Sequence, residues 1–159
     1  KKDLSFDNKL KELFLDLVEE SLLGKYEDWS VSGSGCLALI LVLDQFTRNI
    51  YRGTPQAFSG DEKALQLSFR CLSDGYLRND NFQKTKFMLL PMMHSEDIYV
   101  QDLSLPLFKN LNDYRTYEYA LRHRDIIKRF GRFPHRNNIL GRESTKKEIE
   151  FLKNPGSSF

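Results

Sequence analysis

Cysteine is scarce: Cys36 and Cys71 are the only two in 159 residues. They sit singly within apolar stretches, which excludes a disulfide framework, a C-x-x-C redox pair and a cysteine zinc motif, so both read as reduced core residues. Five prolines and nine glycines are too few for a collagen-like or low-complexity chain. No apolar run is long. Cys36–Leu43 and Phe87–Met93 are the longest, less than half of the roughly 20 residues that cross a bilayer, and no signal-peptide pattern opens the chain. An excess of one charge is lacking as well: 24 Lys and Arg face 22 Asp and Glu, a formal net charge of +2. Nothing in that balance calls for nucleic acid, whose binding needs basic residues gathered on one face. The expectation is a cytoplasmic protein with no membrane partner and no clear nucleic-acid partner.

What is present is an ordinary globular composition, 40% hydrophobic and 29% charged, in a chain of a length that one domain spanning 1–159 accommodates. Folding at this length buries roughly 70% of the surface that the unfolded chain exposes, enough for a hydrophobic core.

Helical periodicity runs through the whole chain. Phe6, Leu10, Leu13, Phe14, Leu17 and Val18 predict a first amphipathic helix ended by Gly24, followed by a loop to Gly35. From Cys36 to Ile50 apolar residues surround the helix for two turns, which predicts a central, buried second helix. Ser59 with Glu62 reads as a capping box opening a third helix that closes at Gly75. A fourth starts near Asn81, with a bend expected at Pro91. Ser95 is placed to cap a fifth, which Pro106 interrupts or restarts. A sixth spans about Asp113 to Phe130 and stops at Gly131, and Thr145 with Glu148 forms a second capping box for a short last helix. No segment alternates with period two for long enough to be a strand. The fold class is all-α, about seven helices, joined by short loops and therefore packed as antiparallel neighbours in a bundle or a stack of helix pairs.

Candidate chemistry concentrates in three places. On the second helix Gln45, Arg48, Asn49 and Arg52 fall at i, i+3, i+4 and i+7 and continue the stripe of Ala38 and Leu41. A buried stripe turning polar either lines a cavity or marks the end of the helix emerging into solvent. Arginine suits a binding role because its planar fork takes carboxylates or phosphates in a bidentate manner. At the next junction His94 stands beside Glu96, as a hinge residue or an acid–base group. The third place is the donor-rich turn Gly131-Arg132-Phe133-Pro134-His135-Arg136-Asn137. His123, in register with Tyr119, Ile126, Ile127 and Phe130, reads instead as a hydrogen-bonded histidine at the core boundary. Arg122, Asp125 and Arg129 read as an intrahelical ion-pair ladder worth a few tenths of a kcal/mol per pair.

Other matches fail on context. Gly33-Ser34-Gly35-Cys36-Leu37-Ala38 mimics a dinucleotide fingerprint, but no strand precedes it. His123-Arg124-Asp125 spells the start of a kinase catalytic loop, yet lies within a helix and lacks the companion motifs. The histidines and nearby acids lack the i, i+4 spacing of a His-Glu-x-x-His helix, so no metal and no cofactor is assigned.

Five stretches together carry a family resemblance: LDQFTRNIYRGTPQAF from Leu43, PMMHSED from Pro91, RHRDIIKRFGRFPHRN from Arg122, LGRES from Leu140 and FLKNPGSSF from Phe151. On these the chain resembles the uncharacterised, mainly bacterial family called domain of unknown function 924. Thr47 stands where such proteins tend to carry proline, and the Trp- and Phe-rich stretch that precedes the Asp3-to-Asp7 segment is missing, so the chain reads as N-terminally shortened. The resemblance implies a fold similar to tetratricopeptide repeats, stacked antiparallel helix pairs in a right-handed superhelix, with no established activity. It points to the residues already singled out: Arg48, Asn49, Arg52, His94, Glu96, Arg132, His135, Arg136 and Asn137.

Two functional expectations follow. One is a non-catalytic binding module that takes a small anionic ligand or peptide segment into a groove formed by Gln45, Arg48, Asn49, Arg52 and the His135 turn. The other is a small hydrolase-type enzyme with His94 or His135 as general base, Glu96 orienting it or accepting protons, possible metal assistance and the arginines stabilising charge. A third outcome is a buried polar network that locks helix ends together and does no chemistry.

Overall fold

A computed structural model describes residues 3–78 and 81–158; the terminal Phe159 of the last resemblance stretch lies outside them. The described residues contain seven helices and no strand. The chain falls into two compact units, Lys1–His94 and Ser95–Phe159.

In the first unit, α1 (Leu4–Leu22) begins at Asp3, whose carboxylate accepts from the Phe6 amide at 3.1 Å. It buries Leu10 and Val18, while Leu4, Phe6 and Leu13 stay exposed. The apolar stripe expected to include Phe6 and Leu13 is therefore narrower than the periodicity indicates. A 3₁₀ turn, Glu27–Val31, occupies the loop, and α2 starts at Gly33, three residues earlier than the apolar run suggests, because Ser32 caps it through the Gly35 amide. α2 runs as an α-helix over Gly33–Ile40, widens into a π-helical turn over Leu41–Phe46 and resumes as an α-helix over Thr47–Ile50. It is central, as expected: Cys36, Leu39, Ile40, Val42 and Leu43 are all buried. α1, the 3₁₀ turn, α3 (Asp61–Ser73) and α4 (Phe82–His94) all pack against it.

The Ser59–Glu62 capping box does not form. Ser59 donates its hydroxyl to the Gln56 carbonyl, and Gly60 is the cap residue of α3. Glycine is required there by proximity: a Cβ at position 60 would lie 2.1 Å from the Leu43 carbonyl oxygen, in the π turn of α2. Pro91 lies inside α4 without ending it, between Leu89 and Met92 in the buried core, since packing retains a helix that propensity alone would break.

The second unit is built on a helical hairpin, α5 (Ile98–Lys109) and α6 (Tyr114–Phe130), joined by the turn 110–113 and packed along their length. The cap of α5 is Asp97 rather than Ser95: its carboxylate accepts from the Tyr99 amide at 2.8 Å, while Ser95 accepts from the Asp97 amide. Pro106 is accommodated within α5. α6 ends at Gly131, which takes the left-handed conformation (φ 69°) expected of a glycine stop. The short α7 (Lys146–Leu152) opens with the Thr145–Glu148 capping box read from the sequence. Its core gathers Ile126, Ile127 and the wholly buried Phe133, with Phe130 and Phe151 packed against them.

Candidate functional site

The polar residues singled out in the sequence divide between the units. Gln45, Arg48, Asn49, Arg52 and His94 belong to the first; Glu96, Arg132, His135, Arg136 and Asn137 belong to the second.

In the first unit the organising group is one that sequence reasoning passed over, Asp44. It sits in the π turn of α2 and is fully buried. Its Oδ1 accepts from the Nδ1 of His94 at 2.7 Å and from Nη2 of Arg48 at 3.2 Å, and the Gln45 amide donates to Oδ2. Burial works against ionisation, but the charge and hydrogen bond of His94 and the charge of Arg48 outweigh it and hold the Asp44 carboxyl well below its usual range. The ionised carboxylate can only accept, so His94 carries a proton on Nδ1 in this contact, and in the neutral form of the ring the basic nitrogen is Nε2.

The π turn is what allows this. Bonding i to i+5 inserts one residue into the helix and rotates all that follows by about 100°. The Thr47 hydroxyl donates to the Leu43 carbonyl at 2.7 Å, supplying a donor inside the altered ladder. Through Gly60 the start of α3 is seated on that same carbonyl, and Asp61, the first residue of α3, meets Arg48 Nη2 at 2.8 Å. Arg48 thus bridges Asp44 and Asp61, with its guanidinium 5.3 Å from the centre of the Phe58 ring. The signal for Asp44 was present: with Cys36 and Ile40 it falls at i, i+4 and i+8 on a face that α2 buries, where a carboxylate must find partners.

The rest of the polar stripe turns back on the protein. Arg52 grips the buried Asp7 with both arms of its fork, Nε to Oδ2 at 2.6 Å and Nη2 to Oδ1 at 2.9 Å, and this bond lowers the Asp7 pKa. Nη2 also donates to Asn49, whose own amide donates to the Gln45 carbonyl at 2.9 Å.

In the second unit the turn from Gly131 to Asn137 wraps around Phe133. His123 meets that ring edge-on, His135 lies at 5.6 Å between centroids, and the Arg136 guanidinium stands 4.5 Å from its centre. Two carboxylates tie the turn down. Glu96 accepts from the Phe133 amide at 2.7 Å and from both arms of Arg142 at 2.7 and 3.0 Å. Burial raises the Glu96 pKa less than Arg142 and the Phe133 amide lower it, so its carboxyl titrates below the usual range. Glu148, almost fully buried, accepts from Arg132 Nε at 2.7 Å and Nη2 at 2.8 Å and from the Thr145 amide at 2.7 Å; these bonds bring its pKa down to about 2. Asn137 is wholly buried, with its amide donating to Ser144 at 3.0 Å.

His123 is the core-boundary histidine that its register indicates, buried, with Nδ1 2.7 Å from the Tyr119 carbonyl oxygen. The expected ladder of Arg122, Asp125 and Arg129 does not form: Arg129 stacks over Phe130 and Phe151, Arg122 lies over Tyr119, and Asp125 meets Arg124 at 3.5 Å. Neighbouring aromatic rings outcompete a solvated i, i+3 pair that is worth only a few tenths of a kcal/mol. Among the described residues no three His, Cys, Asp or Glu side chains gather as a metal site, and no helix is long and apolar enough to cross a membrane.

These features define an all-helical protein whose polar residues are organised by carboxylates, the buried Asp44 in one unit and the half-buried Glu96 and buried Glu148 in the other. The chain belongs to the family described as bacterial protein of unknown function, DUF924, whose profile matches residues 1–156. It is similar to the solved structure of a protein of unknown function from Agrobacterium tumefaciens, at 36% identity and a TM-score of 0.91, over 96% of this chain and 86% of that one. No curated protein matches the sequence.

Proposed function

We propose that the first unit carries an acid–base centre of a small hydrolase type, with His94 as general base and Asp44 as the carboxylate that orients it. The observation that carries this reading is the 2.7 Å contact between Asp44 Oδ1 and His94 Nδ1, made by a carboxylate that is fully buried and held ionised. A base must be fixed in one tautomer to act, and an acceptor at Nδ1 does this. In the proposed step Nε2 takes a proton from water as the water oxygen bonds to an electrophilic carbon or phosphorus. The imidazolium then returns that proton to the leaving group. Arg48, bonded to the same carboxylate and to Asp61, helps to hold Asp44 in place beside His94.

The internal ion pairs favour this reading over an open anion groove on the second helix and the His135 turn. The forks of Arg52 and Arg132 are occupied by Asp7 and Glu148, and Arg48 is shared between two aspartates. The test is hydrolysis of p-nitrophenyl acetate, p-nitrophenyl phosphate and bis(p-nitrophenyl) phosphate by the purified chain and by His94→Asn and Asp44→Asn variants. The reading expects turnover of at least one, abolished by His94→Asn and reduced about 10²- to 10⁴-fold by Asp44→Asn, as for loss of a general base or its orienter. Turnover that survives in His94→Asn would remove His94 from the chemistry.

A further inference from the structure

A second site lies elsewhere in the first unit. A cavity of about 440 Å³ opens where α1, the Glu27–Val31 turn, α2 and α3 meet. Its floor is apolar: Leu39 and Leu43 of α2 and Leu67 of α3 belong to one hydrophobic cluster with Trp29 and Tyr26 at its edge. Along α3, Lys63, Gln66, Leu67 and Arg70 follow at i, i+3, i+4 and i+7, so a single helix face brings two cations to one side of the opening. Volume, apolar floor and a few convergent polar groups are the usual features of a small-molecule site.

Two details indicate what it takes. Lys63 is only loosely engaged, its Nζ standing 3.7 Å from a Glu27 carboxylate that is 78% exposed, while Arg70 is held at the edge of the cavity by the Ser30 hydroxyl at 2.7 Å and by Asp74 at the end of its own helix at 3.3 Å. Ser21 lines the cavity from α1. It is 97% buried by its 3% exposure, and its hydroxyl has no hydrogen-bond partner. An orphaned buried hydroxyl is destabilising, and a structure that keeps one at a cavity wall gains when a ligand oxygen reaches it.

We propose that this cavity binds a small amphipathic carboxylate. Its apolar body packs on Leu39, Leu43 and Leu67, its carboxylate displaces Glu27 at Lys63 and meets Arg70, and Ser21 bonds to one of its oxygens. The site is independent of the Asp44–His94 pair.

Octanoate, with octanol as its uncharged control, tests this by calorimetry and by amide shifts in nuclear magnetic resonance on the full chain. Octanoate is expected to bind, shifting the amides of Ser21, Leu39 and Leu67, and at least tenfold more tightly than octanol. Lys63→Gln lowers octanoate affinity about tenfold. Ser21→Ala lowers it severalfold while leaving thermal stability unchanged or raised, because it deletes an unsatisfied buried hydroxyl. Lys63 is a partly exposed side chain, so its variant keeps the fold in question separate from the site. His94→Asn leaves octanoate binding intact. Absence of octanoate binding at millimolar concentration, equal affinity for octanol, or unchanged affinity in Lys63→Gln each overturns the proposal.

Discussion

Asp44 and His94, fifty positions apart in sequence, are joined by a 2.7 Å contact in which the Asp44 side chain is fully buried and that of His94 is 18% exposed. The pair closes the π turn of α2 against the last residue of α4. Removing one partner of a buried charge cluster typically costs about 3–5 kcal/mol, since the remaining charge loses its compensation. Asp44→Ala is expected to lose stability in that range in urea unfolding. Ring ¹⁵N spectra of the wild-type protein should show His94 protonated on Nδ1 when neutral, and Asp44→Asn should abolish that preference. An unchanged tautomer would mean that Asp44 does not orient the ring.

Acid titration separates the carboxylates. Glu148 has its pKa lowered from 4.5 to about 2 by its bonds with Arg132 and Thr145. A depressed carboxylate contributes stability that is fully present above its unfolded value and lost as pH falls through its folded value. The stability of the wild-type protein should therefore fall between pH 4.5 and about 2, and Glu148→Gln, destabilised at pH 7, should converge on the wild type across that window. Urea midpoints measured from pH 7 to pH 2 decide it; two parallel curves would contradict the assignment.

Gly60 is where the start of α3 touches the π turn. Alanine there places a methyl carbon 2.1 Å from the Leu43 carbonyl oxygen, and backbone cannot yield as a side-chain tip can. Overpacking of this kind costs about 1–3 kcal/mol. Gly60→Ala should lower the thermal midpoint and weaken the Arg48–Asp61 contact, read as loss of the coupling energy between those residues in a double-mutant cycle. Full wild-type stability in the variant would show that the approach is not as close as described.

The buried thiols give a prediction about reactivity. Burial, and then the neighbouring Cys36, push the Cys71 thiol up to about 12, and Cys36 is raised as well, also by burial. The thiolate is the reactive form. Ellman's reagent at pH 8 should therefore modify neither cysteine in the native protein and both in about 6 M guanidinium, which unfolds the chain. Rapid native labelling would place a thiol at the surface.

Much of the helical framework was legible because local rules govern it. The long apolar stripe of α6, its glycine stop at Gly131 and the Thr145–Glu148 box each depend on residues within one or two turns. The errors arose where a distant contact outweighed a local preference. Ser59 and Glu62 match the capping pattern, yet the close seat of Gly60 on Leu43 settles the start of α3; Pro106 matches an interruption, yet α5 runs through it.

The candidate site divides in the same way. Arg48 was visible as a polar group in helical register and His94 as a polar group at a helix junction, but nothing in the spacing of the chain told which carboxylate each would meet. An α-helical reading also carries no sign of a π turn, whose extra residue shifts the register within one helix. The amino-acid order alone determined an all-helical chain with a buried second helix, since periodicity and caps act over a few residues. Only the tertiary structure decided that Asp44 would be the ionised centre around which His94 and Arg48 gather. A buried charge is tolerable only where partners from separate segments arrive together, and that is a property of packing rather than of any stretch of sequence.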